Sequence, residues 1–373
     1  MKRLFMVILL LAVAGHGVEA KKPAREDSKV KNIIYMIGDG MGLCHVSMLQ
    51  IEAGYAPTAF DRAQNTALIK TYSANNRVTD SAAAGTALAT GYKTNNGTIG
   101  QLPDGTRVES IMAKAEKQNY ATGLVVTCYL QHATPAAFYA HVKGRGDSDR
   151  ISYDFMESGV DVAFGGGSKI FKKAFEKNGE DYVSRLKDEG YSVIYDQSEM
   201  DGIHSGRVVG LFAEENLPEL KDGRGDYLAR ATEKALEILT ADVKADRKKG
   251  FVMMVEGSQI DYRSHANDVE GVLAEMRDFE KAVKVAMDYA DTHEGTLVVI
   301  CADHETSGMS IPSNKTDFTL PESGINYDFS TSSHTGIMVP VYLYGAGAEQ
   351  INGIMENTEL SQRLQQLIGV GDK

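Results

Sequence analysis

The chain reads as an α/β protein: a three-layer sandwich with a large, mostly parallel central sheet flanked by helices. Two patterns predict this. Short apolar, β-branched runs recur along the chain, each ending in glycine, aspartate or threonine, and helical patterns lie between them. A strand that is apolar along its whole length is buried on both faces, as in a parallel sheet covered by helices. Alternation of such strands with helices gives the layered architecture.

Taken in order, the predicted strands are Asn32–Ile37, Thr66–Thr71, Ala121–Thr127, Asp161–Phe164, Arg207–Phe212, Phe251–Val255, Thr296–Cys301 and Met338–Tyr344. Apolar residues at three- and four-residue spacing predict helices over Val108–Gln118, Tyr227–Leu239 and Val269–Tyr289. Asn95–Gly105 and Asn314–Asp328 are rich in glycine, asparagine, proline and threonine and read as loops. No internal repeat, low-complexity tract or long linker divides the chain. The expectation is one catalytic domain over residues 21–373 with surface insertions.

The N-terminus has a separate reading. Met1-Lys2-Arg3 precedes an apolar run from Leu4 to about Ala14, and Val18-Glu19-Ala20 follows. A positive start, an apolar stretch of roughly 7–15 residues and small residues at the end form a secretory signal. The run is too short for the roughly 20 residues that span a bilayer. Residues 1–20 are therefore expected to be a signal peptide, with a periplasmic or secreted product and no transmembrane segment after cleavage.

The net charge is −12, and about −13 once Lys2, Arg3 and Glu19 are removed. That balance argues against a nucleic-acid or anionic-membrane surface. An anionic substrate would need local positive charge, from metals or a specific arginine. The three cysteines, Cys44, Cys128 and Cys301, sit among apolar or strand-like neighbours and read as core thiols. A small disulfide-stapled scaffold would carry more.

In open α/β sheets, ligands bind beyond the carboxyl ends of the strands. Gly38-Asp39-Gly40-Met41-Gly42 follows the first strand, and its glycines let backbone approach a ligand closely. Glu256 follows Phe251–Val255, where a buried carboxylate needs a partner. Asp261 and His265 are one helical turn apart and suit two ligands of one metal. Asp303-His304 follows Thr296–Cys301, and His334 precedes the last strand. Ser81 leads a run of small residues, Ser81-Ala82-Ala83-Ala84-Gly85. Taken alone it is an ordinary N-cap, but a helix N-terminus also binds phosphate well. His132-Ala133-Thr134-Pro135 follows Ala121–Thr127, with Arg145 beyond. Each piece has a bland explanation alone. Polar groups gathered at several strand ends make those explanations poor together.

These residues resemble the alkaline phosphatase family, in its short bacterial branch. The matching pieces are Asp39-Gly40-Met41-Gly42, Thr79-Asp80-Ser81-Ala82, His132-Ala133-Thr134-Pro135 through Arg145, Glu256-Gly257-Ser258-Gln259-Ile260-Asp261, Ala302-Asp303-His304 and His334-Thr335-Gly336. They occur in the family's order and span nearly all of the chain beyond the signal. The resemblance implies phosphate monoester hydrolysis through a phosphoserine on Ser81, with Arg145 forking onto the phosphate and Asp80 orienting it. It implies one zinc held by Asp261, His265 and His334, and a second held by Asp39, Asp303, His304 and Ser81. A third ion, usually magnesium, would be held by Asp39, Thr134 and Glu256. His132 stands where some members carry aspartate, and the resemblance leaves two readings of that place, weaker magnesium binding or zinc instead of magnesium. Tyr262 stands where others carry lysine, histidine or tryptophan, and both a water-mediated phosphate contact and simple packing stay open. The family usually forms homodimers and acts on small phosphate monoesters.

His45 and His141 are read as helix residues packed near the site, not ligands. Two other classes of function compete, a sibling metalloenzyme and a non-catalytic binding protein. A related phosphodiesterase or phosphonate esterase more often has threonine as nucleophile and lacks the arginine. A sulfatase needs a C/S-x-P-x-R motif, and Ser81 is not in one. A non-catalytic metal- or phosphate-binding protein would have lost the nucleophile or a ligand, and none is missing.

Overall fold

The computed structural model describes residues 29–245, 247–314 and 325–371. The expected signal peptide lies outside the described residues, as does most of the expected loop after Asn314. The strands in chain order are β1 (Asn32–Gly38), β2 (Asn65–Lys70), β3 (Ala121–Tyr129), β4 (Val162–Gly166), β5 (Ser192–Ile194), β6 (Val208–Leu211), β7 (Phe251–Gly257), β8 (Thr296–Cys301), β9 (Glu305–Thr306), β10 (Met309–Ser310), β11 (Asp328–Phe329), β12 (His334–Thr335), β13 (Val339–Gly345) and β14 (Gly353–Glu356).

Ten of these strands form one sheet in the order β14-β2-β13-β8-β1-β7-β3-β4-β6-β5. Every neighbouring pair is parallel except the two made by β13, which runs antiparallel between β2 and β8. β1 and β7 are buried at every residue, as their unbroken apolar sequences require. The eight predicted strands all form, with ends shifted by a residue or two. β7 runs on through Glu256, which pairs in register with Ile37 and Val126. Within the ten-stranded sheet, the two strands without a sequence prediction, β5 and β14, are its edges. They are short and partly exposed, so neither carries a continuous apolar run.

The helices are α1 (Leu43–Glu52), α2 (Ser81–Thr90), α3 (Ile111–Lys117), α4 (Ala133–Ala136), α5 (Ser148–Glu157), α6 (Ser168–Asn178), α7 (Tyr182–Asp188), α8 (Tyr227–Lys244), α9 (Gln259–His265), α10 (Val269–Thr292) and α11 (Asn357–Leu367). α8, α10, α9 and α1 pack together, as do α2, α4, α3 and α11. Val108–Gln118 is shorter than predicted, because Ser110 caps the helix by accepting from Ala113 N–H. The helices predicted from Tyr227 and Val269 run on to Lys244 and Thr292. Asn95–Gly105 forms no helix or strand, only isolated bridges such as Ile99 with Val142. All three cysteines are free thiols, with Cys128 and Cys301 buried. No helix among the described residues is long and apolar enough to cross a membrane.

This topology puts β1 at the centre, between β7 and β8, with β3 beyond β7. The segments leaving these strands at their carboxyl ends carry the polar groups singled out in the sequence.

Candidate active site

The site starts at the end of β1. Gly40 adopts φ +74°, in the left-handed region, and its N–H donates to Asp303 Oδ1 at 3.2 Å. A Cβ there would stand 2.7 Å from Thr306 Oγ1 and 3.0 Å from Asp261 Oδ1. The glycine lets three segments close around Asp39, which is fully buried. Neither Asp39 oxygen accepts a hydrogen bond, and Oδ1 lies 3.4 Å from His304 Nε2.

His304 sits at the centre of the cluster. Its Nδ1 is 3.2 Å from Thr306 Oγ1, which donates its proton to Asp261 Oδ1 at 2.5 Å. Thr306 therefore accepts from His304, and the His304 Nε2 lone pair is left facing the site. That nitrogen lies 3.2 Å from Ser81 Oγ and 3.2 Å from Asp303 Oδ2. Burial pushes the imidazole down to about 4, so it is neutral at pH 7.

His265 and His334 follow the same pattern. His265 Nδ1 donates to Ser332 O at 2.7 Å and His334 Nδ1 donates to Thr79 O at 2.9 Å. Their Nε2 atoms then face each other at 3.2 Å, with Asp261 Oδ2 3.3 Å from His265 and Oδ1 3.6 Å from His334. Two lone pairs and a carboxylate converging in this way need a cation between them. Without one, a proton serves, and the hydrogen bond to Asp261 raises His265 to about 9. Donor atoms of Asp261, His304 and His334, and of Asp39, Asp303 and His304, lie within 4.8 Å of one another. Imidazole-and-carboxylate sets of this kind suit zinc.

Ser81 is the first residue of α2, not its cap. Asp80 caps the helix, its Oδ1 accepting from Ala83 N–H at 3.0 Å. The sequence expectation of Ser81 as an N-cap is corrected by one residue, and the shift leaves its hydroxyl free of a capping role. Asp80 Oδ2 accepts from Gly97 N–H at 3.0 Å and from Arg145 Nη1 at 3.2 Å. Arg145 Nη2 lies 3.2 Å from His132 Nε2. Arginine only donates, so His132 accepts there. Burial, followed by the Arg145 charge, pushes His132 down to about 3.

The end of β7 and the start of α4 form a third group. Glu256 and Thr134 are fully buried, and Glu256 Oε1 and Thr134 Oγ1 lack hydrogen-bond partners, as does His132 Nδ1. Burial, reinforced by the Asp303 charge, raises Glu256 to about 8. Cys128 Sγ is 3.5 Å from Glu256 Oε2. Tyr262 packs edge-on to His132, ring centroids 6.0 Å apart. Unpartnered buried oxygens on Asp39, Asp303, Thr134 and Glu256 are costly unless ions satisfy them, so the donor set fits bound metals.

All twelve sequence-selected residues thus converge at one end of the sheet. Thr306, which links Asp261 to His304, was missed. Nothing in its sequence context separates it from any other strand-end threonine. His45 lies in α1 as expected and donates from Nε2 to Ser264 Oγ at 2.9 Å, tying α1 to α9. His141 is not helical; its backbone N–H donates to Asp154 Oδ2 and its ring faces Val108 O.

A carboxylate–imidazole cluster able to hold metal ions, around a helix-N-terminal serine at the carboxyl edge of a parallel sheet, is the site of an α/β hydrolase. A profile of the alkaline phosphatase family matches residues 30–323. Alkaline phosphatase 3 of Bacillus subtilis is 32% identical, over 96% of this chain and 94% of that protein. The alkaline phosphatase of the Antarctic bacterium TAB5 superimposes with a TM-score of 0.85 at 35% identity, covering 92% of this chain and 100% of that one. A cold-active alkaline phosphatase from Shewanella sp. gives 0.81 at 31% identity, over 90% and 99% of the two chains. Two mutants of the TAB5 enzyme, a histidine changed to aspartate or to glutamate, have magnesium bound in the site called M3. The chain belongs to the alkaline phosphatase family. Its activity is the hydrolysis of phosphate monoesters.

Proposed function

We propose that hydrolysis proceeds through a phosphoserine on Ser81, in a site holding two zinc ions and a third ion. The observation that carries this is the convergence of Ser81 Oγ, Asp39 Oδ1 and Asp303 Oδ2 on His304 Nε2, each within 3.4 Å, at the N-terminus of α2. Asp261, His265 and His334 would hold one zinc, and Asp39, Asp303 and His304 the other, with Ser81 as its remaining ligand. Asp39, Thr134 and Glu256 would hold the third ion. The ions would supply Lewis acidity there, which would favour the serine alkoxide, stabilise the departing ester oxygen and offset the phosphate charge on an acidic protein.

The side chains of the chain do the rest. Ser81 Oγ attacks phosphorus as its proton passes to solvent; the bond to the ester oxygen breaks, and that oxygen takes a proton from solvent and leaves as the alcohol. Water then attacks the phosphoserine, the bond from phosphorus to Oγ breaks, and inorganic phosphate and free Ser81 result. Arg145 turns from His132 to fork onto two non-bridging phosphate oxygens, and Asp80 keeps it within reach. The N-terminus of α2 adds its dipole and free N–H groups.

His132, a neutral nitrogen donor, supports zinc over magnesium in the third place. Magnesium in the TAB5 mutants, where a histidine became a carboxylate, supports the same reading. The N-terminal pattern supports an exported protein, periplasmic or secreted, with one catalytic domain. The family's habit supports a homodimer, and the acidic charge supports small phosphate monoesters over nucleic acid.

The test is hydrolysis of p-nitrophenyl phosphate with and without a chelator, beside Ser81→Ala. Both treatments should abolish turnover, and zinc should restore it to the chelated enzyme. Activity that resists the chelator, or survives in Ser81→Ala, would overturn the reading.

A further inference from the structure

The third group of donors contains an atom that an all-oxygen magnesium site has no use for. Donor atoms of Cys128, His132 and Glu256 lie within 4.8 Å of one another, and all three residues are buried. Cys128 sits near the end of β3 with no solvent access, its Sγ 3.5 Å from Glu256 Oε2. Glu256 Oε1, Thr134 Oγ1 and His132 Nδ1 are buried nearby without hydrogen-bond partners. A core thiol that only fills space meets apolar neighbours. This one meets a carboxylate, beside an imidazole and a hydroxyl.

Magnesium takes six hard oxygen ligands in a near-ideal octahedron and keeps much of its water. Thiolate and imidazole favour softer ions, and a tetrahedral site of mixed sulfur, nitrogen and oxygen donors is characteristic of zinc. We propose that Cys128 and His132, in place of Asp39 and Thr134, join Glu256 as ligands of the third ion, in a sulfur–nitrogen–oxygen site that takes zinc or another thiophilic ion in preference to magnesium. On binding, the S–H bond breaks, its proton leaves to solvent, and sulfur donates its electron pair to the ion. His132 has one lone pair, now shared with Arg145 Nη2 at 3.2 Å, so ligation also frees Arg145. The inference rests on the metal-dependent reading above but concerns this site alone.

The test uses metal-stripped wild-type protein titrated with cobalt(II) and followed by absorbance. Elemental analysis after dialysis against zinc with excess magnesium runs in parallel. The expected result is three ions per chain, a near-ultraviolet sulfur-to-cobalt charge-transfer band on one of them, and zinc retained in the third place against magnesium. Cys128→Ser and Cys128→Ala should lose the band and weaken zinc in that site by on the order of 10–100-fold or more, while two ions stay bound. Three bound cobalt ions without the band, or replacement of the third zinc by stoichiometric magnesium, would overturn the inference. The band is read on the unaltered chain, so a variant that fails to fold leaves the test intact. Loss of all metal binding would instead sink the reading of the main site.

Discussion

Arg145 Nη2 lies 3.2 Å from His132 Nε2, while Nη1 of the same guanidinium lies 3.2 Å from Asp80 Oδ2. The arginine that would hold phosphate is thus parked between a carboxylate and a neutral imidazole. A neutral imidazole has one lone pair, which serves Arg145 or a metal but not both. His132→Asp replaces it with a carboxylate, which can bond Arg145 and still offer an oxygen to a hard cation. Magnesium should bind the third place on the order of 10-fold or more tightly in this variant. Isothermal titration of chelator-treated protein with magnesium checks this; equal affinities would count against His132 as the determinant.

Asp80 does two jobs with two oxygens, and they can be separated. Oδ1 caps α2 through Ala83 N–H, and Oδ2 holds Gly97 N–H and Arg145. Asp80→Ala should cost about 1 kcal/mol of stability as a lost cap. Asp80→Asn keeps the cap, since asparagine caps as well as aspartate, but its Nδ2 cannot accept from Gly97 N–H, so it should lose less stability than Asp80→Ala, which gives up both bonds. Both lose the charge that holds Arg145, so KM should rise in both with a smaller change in kcat. Urea unfolding and steady-state kinetics on p-nitrophenyl phosphate give the two readouts. A stability loss in Asp80→Asn equal to that of Asp80→Ala would refute the division.

The central strands and the strand-end residues were legible in the sequence because their signals are local. Burial on both faces writes an unbroken apolar run, and the runs of β1, β7 and β8 stop just before the carboxylates Asp39, Glu256 and Asp303. β5 and β14 were not legible because an edge strand is half solvated and short. The exchange of roles between Asp80 and Ser81 was hidden because both are good caps, and only the geometry of α2 decides which one is used. The strand pattern predicts a buried thiol at Cys128, and it is buried. Its neighbours could not be counted by alternation, since the β3–β4 register shifts between Val125 and Tyr129. Thr306 acts only through contacts with residues far away in sequence.

Gly40 is the point where backbone conformation and metal ligands depend on each other. Its φ of +74° disfavours any side chain, and a Cβ would press on Thr306 Oγ1 at 2.7 Å and Asp261 Oδ1 at 3.0 Å. Gly40→Ala should cost roughly 1–2 kcal/mol from the left-handed conformation alone. It should also displace Asp261, so zinc content falls and activity falls with it. Gly97 also has a positive φ, but nothing lies within 4 Å of the site of its Cβ. Gly97→Ala should therefore show the strain without the metal loss. Zinc analysis of the two purified variants makes the comparison; full zinc occupancy in Gly40→Ala would show that the cradle yields.

The crowding of carboxylates around Asp39 has a consequence for stability against pH. Burial, followed by the Asp303 charge, raises Glu256 to about 8, and burial with the Asp303, Asp261 and Glu256 charges holds Asp39 well above the usual carboxylate range. His265 is raised to about 9, chiefly by its hydrogen bond to Asp261. In the unfolded chain these carboxyls ionise near pH 4 and the imidazole near 6.5. Between pH 7 and 9 the metal-free folded state therefore holds protons that the unfolded state has released. Stability must then fall as pH rises through that window. His304 and His132, pushed down to about 4 and about 3, have the opposite sign, but their contribution is complete once pH passes the unfolded value near 6.5. Bound metal ions take the place of those protons and become more strongly bound as pH rises. The melting temperature of the chelated protein should thus drop from pH 7 to pH 9 while that of the zinc-loaded protein holds, and the gap between them should widen. Differential scanning calorimetry of both forms across this range measures it, and parallel curves would mean that these groups do not set the charge of the chelated protein in this window.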